Sequence, residues 1–149
     1  MVLWRISNYA SLEGIGGLYV SGRWHTKGRP VLYCSENPST CLLEVIVHME
    51  IDAEDRPKNF RLLQIEGPEG LSMTAVAPEE LSENWPDDSV ATRRLGDRWL
   101  ASRRSLLLKM PSVLIPQTWN VVVNPLHPEA ASLKISAGFE QAFDLRLFQ

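Results

Sequence analysis

Short apolar runs bounded by proline constrain this chain more than any other feature. Val31 to Ser35 follows Pro30, Leu106 to Met110 stops at Pro111-Ser112, and Asn120 to Asn124 stops at Pro125. Each is too short for a stable helix and rich in the aliphatic side chains that fill buried strands. Val2 to Ile6 reads the same way. Phe60 to Glu66 alternates as a strand and ends at Gly67-Pro68-Glu69-Gly70. Leu18 to Trp24 also alternates, which predicts a strand with Leu18, Val20 and Trp24 on one face and Tyr19, Ser21 and Arg23 on the other. That strand would pair with Val31 to Ser35 as a hairpin or lie near it in one sheet. Lys134 to Ser136 and Ala142 to Leu147 are expected as the last strands.

Two helices complete the pattern. Asn37 can cap a helix and Pro38 suits its first position, so a helix is predicted from there to about Met49. On it Thr40, Glu44 and His48 share one stripe, while Leu42, Leu43, Ile46 and Val47 are expected against the sheet. Ser89 to Arg104 is the second helix, with Leu95, Trp99 and Leu100 at helical spacing. Gly96 opposes it by about 1 kcal/mol relative to Ala. Asp52 to Asn59 reads as a charged loop, Ala77 to Asp88 as irregular, and His127 to Ala131 as a short helix start. The expected architecture is α+β: one compact domain over residues 1–149, with mixed or antiparallel sheets and flanking helices.

The chain of 149 residues is 44% hydrophobic and 22% charged, with net charge −3. An acidic balance argues against a nucleic-acid binder, which normally carries a basic footprint. Arg93-Arg94 and Arg103-Arg104 are the local exceptions. No apolar run reaches the ~18 residues of a membrane span, and Met1 to Ser7 has no basic segment followed by a long apolar stretch, so no signal peptide is expected. Cys34 and Cys41 are expected as buried free thiols in a reducing cytosol. No His/Cys spacing suits zinc, so no metal is expected. Glu13-Gly14-Ile15-Gly16-Gly17 lacks the dinucleotide fingerprint.

Two candidate groups stand out. Arg23 sits between Gly22 and Gly28, and its planar fork suits phosphate or pyrophosphate. It is equally readable as a solvated strand arginine. Glu44 is a lone carboxylate in an apolar helical run. It either lies on a solvated face or faces a cleft, where it can stabilise an oxocarbenium-like centre. Tyr33 is either packing or a ring face for an aromatic cation. Ser112 and Asn124, at strand ends, are turn residues or substrate-facing polar groups. Ser112 lacks the context of a triad nucleophile, and His48 pairs with Glu44 on a helix surface rather than as a dyad.

The ordered set Gly22-Arg23-Trp24, Val31-Leu32-Tyr33, Leu43-Glu44-Val45, Leu95-Gly96-Asp97, Pro111-Ser112-Val113 and Asn120-Val121 through Asn124-Pro125 resembles the RES domain family, named for its Arg, Glu and Ser. Two positions depart from it: His25 stands where Asn is usual, and Ser21 where Gly is common. The resemblance implies a fold similar to ADP-ribosyltransferases. It implies the toxin of a type II toxin–antitoxin module, cytoplasmic, partnered in a hetero-oligomer by an Xre-type helix-turn-helix antitoxin that makes the DNA contacts. It implies NAD⁺ as substrate rather than cofactor, cleaved at the nicotinamide–ribose bond by hydrolysis or phosphorolysis, or used for ADP-ribosyl transfer. In that scheme Arg23 and Glu44 are catalytic, and Arg23, Tyr33, Ser112 and Asn124 bind substrate. A non-catalytic NAD-binding or regulatory domain is the alternative of a different class.

Overall fold

The computed structural model describes residues 1–49 and 54–148. Seven strands form one sheet: β1 (Val2–Ile6), β2 (Leu32–Ser35), β3 (Asn59–Glu66), β4 (Met73–Ala75), β5 (Leu107–Pro111), β6 (Trp119–Val123) and β7 (Lys134–Ala142). Their order is β4-β5-β6-β2-β1-β3-β7. Every neighbouring pair is antiparallel except β4 with β5. The expected α+β architecture with a mixed sheet is what forms. β4 is three residues long, and nothing in its sequence announces it.

The sheet is not uniformly joined. β1 follows β3 along its whole length, and β2 follows β6, but β1 meets β2 in the single register pair Trp4↔Ser35. The sheet opens at that seam. One core beneath it gathers Leu3, Leu32, Cys34, Ile65, Leu107 and Val121. On the other side Val122, Leu108 and Met110 pack with Trp24, Trp99 and Leu100. Alternate residues of β2, β5 and β6 feed the two cores, as strand geometry requires.

The helix α2 (Pro38–His48) begins as expected: the Asn37 side chain accepts from the backbone N–H of Ser39 at 2.8 Å and of Thr40 at 3.3 Å. Its packing face is narrower than predicted. Leu42 and Ile46 pack toward Phe60, Leu62 and Phe143, whereas Leu43 and Val47 are exposed. One i,i+4 row reaches the sheet, and the next row is turned about 100° away from it. The expected loop from Asp52 to Asn59 lies outside the described residues at 52 and 53. The helix α3 (Ser89–Ser102) is capped by Asp88, which accepts from Ala91 N–H at 3.0 Å.

Two strand expectations fail. Gly16–Tyr19 is a four-residue helix, α1, and Val20 to Pro30 is loop. Its alternation has no buried face, since Tyr19 and Val20 are 73% and 68% exposed and only Trp24 is inside. Its backbone bonds are local instead, with Gly17 N–H to Gly14 O and Val20 N–H to Gly16 O. The predicted Leu18–Trp24 strand and its hairpin are therefore absent. At the C-terminal end the expected strand from Lys134 to Ser136 forms and runs on to Ala142 as β7, whereas the one expected over Ala142 to Leu147 does not form. Gly138 does not interrupt β7, because it lies opposite Leu63 and leaves ordinary contact distance to that side chain. Leu145–Phe148 is a 3₁₀ turn.

Candidate active site

The seam between β1 and β2 opens into a cleft of about 470 Å³, walled by α2, the loop carrying Arg23, and α3. That volume suits a nucleotide-sized ligand.

Glu44 reaches this cleft from α2. Its Oε1 accepts two hydrogen bonds, from Ser112 Oγ at 2.6 Å and from Asn120 Nδ2 at 2.8 Å. Asn120 is held in turn, its Oδ1 accepting from Ser35 Oγ at 2.8 Å. Ser112 Oγ accepts from the N–H of Leu114 at 3.1 Å and of Ile115 at 3.3 Å, which leaves its proton for Glu44. Among the described residues Oε2 has no protein partner. The carboxylate is thus fixed through one oxygen and free at the other. The stripe of Thr40, Glu44 and His48 is half-buried at Thr40 and Glu44 and exposed at His48. Thr40 meets Thr118 at 3.3 Å, and Glu44 and His48 line the cleft.

Arg23 lines the cleft from the loop, with Nη1 donating to Pro86 O at 2.8 Å. α3 holds that loop with successive side chains. Thr92 Oγ1 donates to Arg23 O at 2.6 Å, Arg93 Nε donates to Gly22 O at 2.8 Å, and Asp97 accepts from Thr26 N–H and Oγ1 at 2.8 and 2.6 Å. Gly96 lies between them because the Trp24 carbonyl crosses the helix there, where a Cβ would sit 1.6 Å from that oxygen. The Leu95-Gly96-Asp97 stretch is therefore the helix side of a loop clamp.

Tyr33 presents part of its ring to the cleft, but its hydroxyl turns inward. It accepts from Trp24 N–H at 3.1 Å and lies 2.7 Å from His25 Nδ1. Gly22 N–H also points at His25 Nδ1, at 3.2 Å, and Nε2 lies 3.1 Å from Gly17 O. A nitrogen facing a backbone N–H is an acceptor, so the network assigns the proton to Nε2 and makes the Tyr33 hydroxyl the donor to Nδ1. His25, 2% exposed, is the post that fixes Tyr33. Gly22 matters here for a reason other than ligand approach: a Cβ would lie 2.3 Å from the Tyr33 hydroxyl. Ser21, at the other departure from the pattern, closes the loop by accepting from Lys27 N–H at 2.9 Å.

Arg23, Tyr33 and Glu44 thus share one cleft. Ser112 does not line it; it is 2% exposed and spent on Glu44. Asn124 is not brought there either. It is 1% exposed, donates to Leu100 O at 3.2 Å, and accepts from Leu126 N–H at 3.1 Å, which makes it a turn anchor after β6. Three cleft residues are not anticipated from the sequence: Arg5, Arg93 and Asn120. Arg93 belongs to the basic pair Arg93-Arg94 and Asn120 to the family-like stretch ending at Pro125, but neither position alone marks a cleft residue. Three guanidiniums against one carboxylate make the cleft locally positive in a chain of net charge −3.

Burial pushes the Tyr33 phenol well above its ordinary range. It also pushes the thiols of Cys34 and Cys41, both free, up to about 12 and about 11. All three groups keep their protons longer folded than unfolded. Their contribution is complete below the ordinary thiol value and is lost as pH rises, since the unfolded chain then binds fewer protons. The urea midpoint should hold steady from pH 7 to 8.5 and fall progressively between about pH 9 and 12. A midpoint that rises over that interval would contradict the buried placement of these groups.

Fold and site together define an α+β domain with a cleft in which three guanidiniums surround one oriented carboxylate. The chain belongs to the RES domain family, whose pattern matches residues 2–147. It is 50% identical over 135 residues to a protein named Toxin Res from Pseudomonas putida, covering 91% of this chain and 92% of that one. It is 29% identical over 156 residues to the Prs ADP-ribosylating toxin of a Sphingobium species, covering 98% and 96%. Its fold matches a chain in the crystal structure of the M. tuberculosis MbcT–MbcA toxin–antitoxin complex, with a TM-score of 0.76 at 16% identity over 95% of this chain and 84% of that one.

Proposed function

We propose that this chain is the toxin of a toxin–antitoxin pair and that it acts by cleaving the nicotinamide–ribose bond of NAD⁺. The observation that carries the chemistry is Glu44, held through Oε1 by Ser112 and Asn120 with its other oxygen unpartnered among the described residues, in a cleft that is otherwise cationic. Nicotinamide in NAD⁺ is already cationic, so it leaves with the bonding electron pair and needs no strong general acid. The ribose C1′ becomes electron-poor, and a fixed carboxylate stabilises that charge in the transition state. An oxygen of water or phosphate then bonds to C1′, and water gives up a proton on doing so. Arg23 and Arg93 hold the pyrophosphate, whose two negative charges suit paired guanidiniums. The exposed part of the Tyr33 ring aligns the nicotinamide end. Ser112 acts through Glu44 rather than on substrate.

The purified chain should consume NAD⁺ steadily and release nicotinamide. Free ADP-ribose or its phosphate ester would mark hydrolysis or phosphorolysis. A second reading, protein ADP-ribosylation, is supported by the name of the Sphingobium relative and shares every step up to the acceptor. ADP-ribose attached to protein would select it. NAD⁺ that raises the melting temperature yet stays intact would reduce the site to a binding domain.

Ser112→Ala should lower kcat by about tenfold, the equivalent of one hydrogen bond to a charged group, with KM for NAD⁺ nearly unchanged. A rise in KM alone would return Ser112 to the substrate-binding role. The remaining proposals follow from the resemblance. The partner is an Xre-type helix-turn-helix antitoxin that carries the DNA contacts and covers the cleft in a cytoplasmic hetero-oligomer. Among the described residues no helix is long and apolar enough to cross a membrane.

A further inference from the structure

His25 is a buried titratable group that the cleavage step does not use. It lies behind the cleft wall rather than in it. Its Nε2 is 3.1 Å from Gly17 O, which can only accept, so Nε2 carries the proton of the neutral ring and Nδ1 carries a lone pair. Two donors converge on that lone pair. One is the Tyr33 hydroxyl at 2.7 Å. The other is Gly22 N–H at 3.2 Å, which His25 shares between Nδ1 and its own carbonyl at 3.1 Å. The hydroxyl in turn accepts from Trp24 N–H at 3.1 Å. Gly22 and Trp24 flank Arg23, so both bonds act on the segment that carries the cleft arginine.

A second proton on the ring reverses this pattern. Nδ1–H would face Gly22 N–H, donor against donor, and could donate only to the Tyr33 oxygen. Burial keeps the phenol protonated, and its proton would then lose the acceptor that it has at Nδ1. Nor is the new charge offset. His25 forms no ion pair with any described carboxylate. α1, on its Nε2 side, carries no charged residue. β2 brings Tyr33 and, as its other titratable group, Cys34. Its own loop brings Arg23, Lys27 and Arg29, and α3 brings Arg93 and Asp97. Asp97 is already engaged by Thr26. These surroundings are cationic on balance, and a buried charge without a counter-ion is costly.

We propose that His25 is a positioning residue worked by a proton: charging its ring releases the Tyr33 hydroxyl and the Gly22–Trp24 segment, which draws Arg23 back from the cleft and weakens substrate binding in mild acid. The inference rests on the reading of the cleft as a dinucleotide site and goes beyond it, because the cleavage step itself needs no titrating group behind the wall. Glu44 keeps its bonds to Ser112 and Asn120, which do not belong to the loop, so the loss falls on KM rather than on kcat.

NAD⁺ cleavage by the wild-type protein and by His25→Asn, followed from about pH 7.5 down to about pH 5, tests it. The asparagine Oδ1 takes the place of Nδ1 as acceptor and has no proton to gain, while Gly17 O keeps the N–H of Gly28 at 3.1 Å. In wild type KM should rise by about tenfold or more toward the acid end, with kcat changing far less, as a lost guanidinium contact to phosphate requires. In the variant KM should stay level. His48 and His127 are present in both proteins, so the comparison removes their titration. A wild-type KM that stays level, a loss confined to kcat, or a rise that the variant shares overturns the proposal. Should the variant not fold, or the chain leave NAD⁺ intact, ¹⁵N spectra of the wild type decide. The His25 ring should show the Nε2–H tautomer near neutral pH, and the amides of Gly22 and Trp24 should shift with the same midpoint as the ring. A ring that stays neutral to the acid end, or that titrates without moving those amides, overturns it. That readout needs no turnover, so the cleavage reading and the role of His25 can fail separately.

Discussion

Glu44→Gln is expected to leave the fold intact and to slow NAD⁺ cleavage by about 10²- to 10³-fold, the usual effect of removing one preorganised electrostatic group. The substitution is isosteric, and the surrounding network dictates its orientation. Ser112 Oγ and Asn120 Nδ2 both donate to the Oε1 position. An amide nitrogen there would face two donors, so the glutamine oxygen must take that place and its NH₂ must turn toward the free side. The cleft then loses a negative charge and gains the positive end of an amide dipole where the ribosyl cation forms. Stability should change by less than about 1 kcal/mol, because both hydrogen bonds survive with a neutral acceptor. The measurement is NAD⁺ against time for the two proteins, beside their urea midpoints. Cleavage within a few-fold of wild type, with normal folding, would remove Glu44 from the chemistry.

The carboxylate was legible in the sequence because helices obey a simple period. Asn37-Pro38 sets the start of α2, and from that start Thr40, Glu44 and His48 must share a stripe. What the period cannot say is which side of the helix meets the sheet, and so it places Leu43 and Val47 in the core although they are exposed. Arg23 stands out by its residue type and its glycine neighbours, but it lies in a loop and not on the expected strand. A loop held by side chains from α3, seventy residues onward, leaves no local pattern, and a chance alternation filled the gap. The same reason hides Arg93: its bond to Gly22 O spans a sequence distance that no window covers. Arg5 and Asn120 sit in runs whose aliphatic neighbours dominate the reading. Ser112 and Asn124 show the reverse failure. Polar residues at strand ends are as often anchors as ligands, and only their partners, Glu44 for one and Leu100 O for the other, separate the two cases.

Gly96→Ala should destabilise the protein by about 3 kcal/mol or more, although it improves the helix that contains it. Two effects oppose each other. Alanine in the interior of α3 favours the helix by about 1 kcal/mol. Its methyl group, however, would lie 1.6 Å from the carbonyl oxygen of Trp24 and 2.7 Å from its carbonyl carbon. These are backbone atoms and cannot rotate aside. Trp24 is 4% exposed, and its ring packs beside Trp99 and Trp85, so the whole loop must retreat for contact to become ordinary. Retreat would strain the bonds from Thr92 to Arg23 O, from Arg93 to Gly22 O and from Thr26 to Asp97, as well as that from Trp24 N–H to the Tyr33 hydroxyl. The steric effect wins, and for a chain of this size a loss of about 3 kcal/mol lowers the melting temperature by about 6–12 °C. Activity should fall with it, because the loop carries Arg23. Gly16→Ala is the matched control. A Cβ there meets nothing within 4 Å, so it should be neutral or stabilising by up to about 1 kcal/mol. If Gly96→Ala melts at or above the wild-type temperature, α3 and the Arg23 loop do not approach as closely as they do here, and the clamp that sets the arginine's position would have to be sought elsewhere.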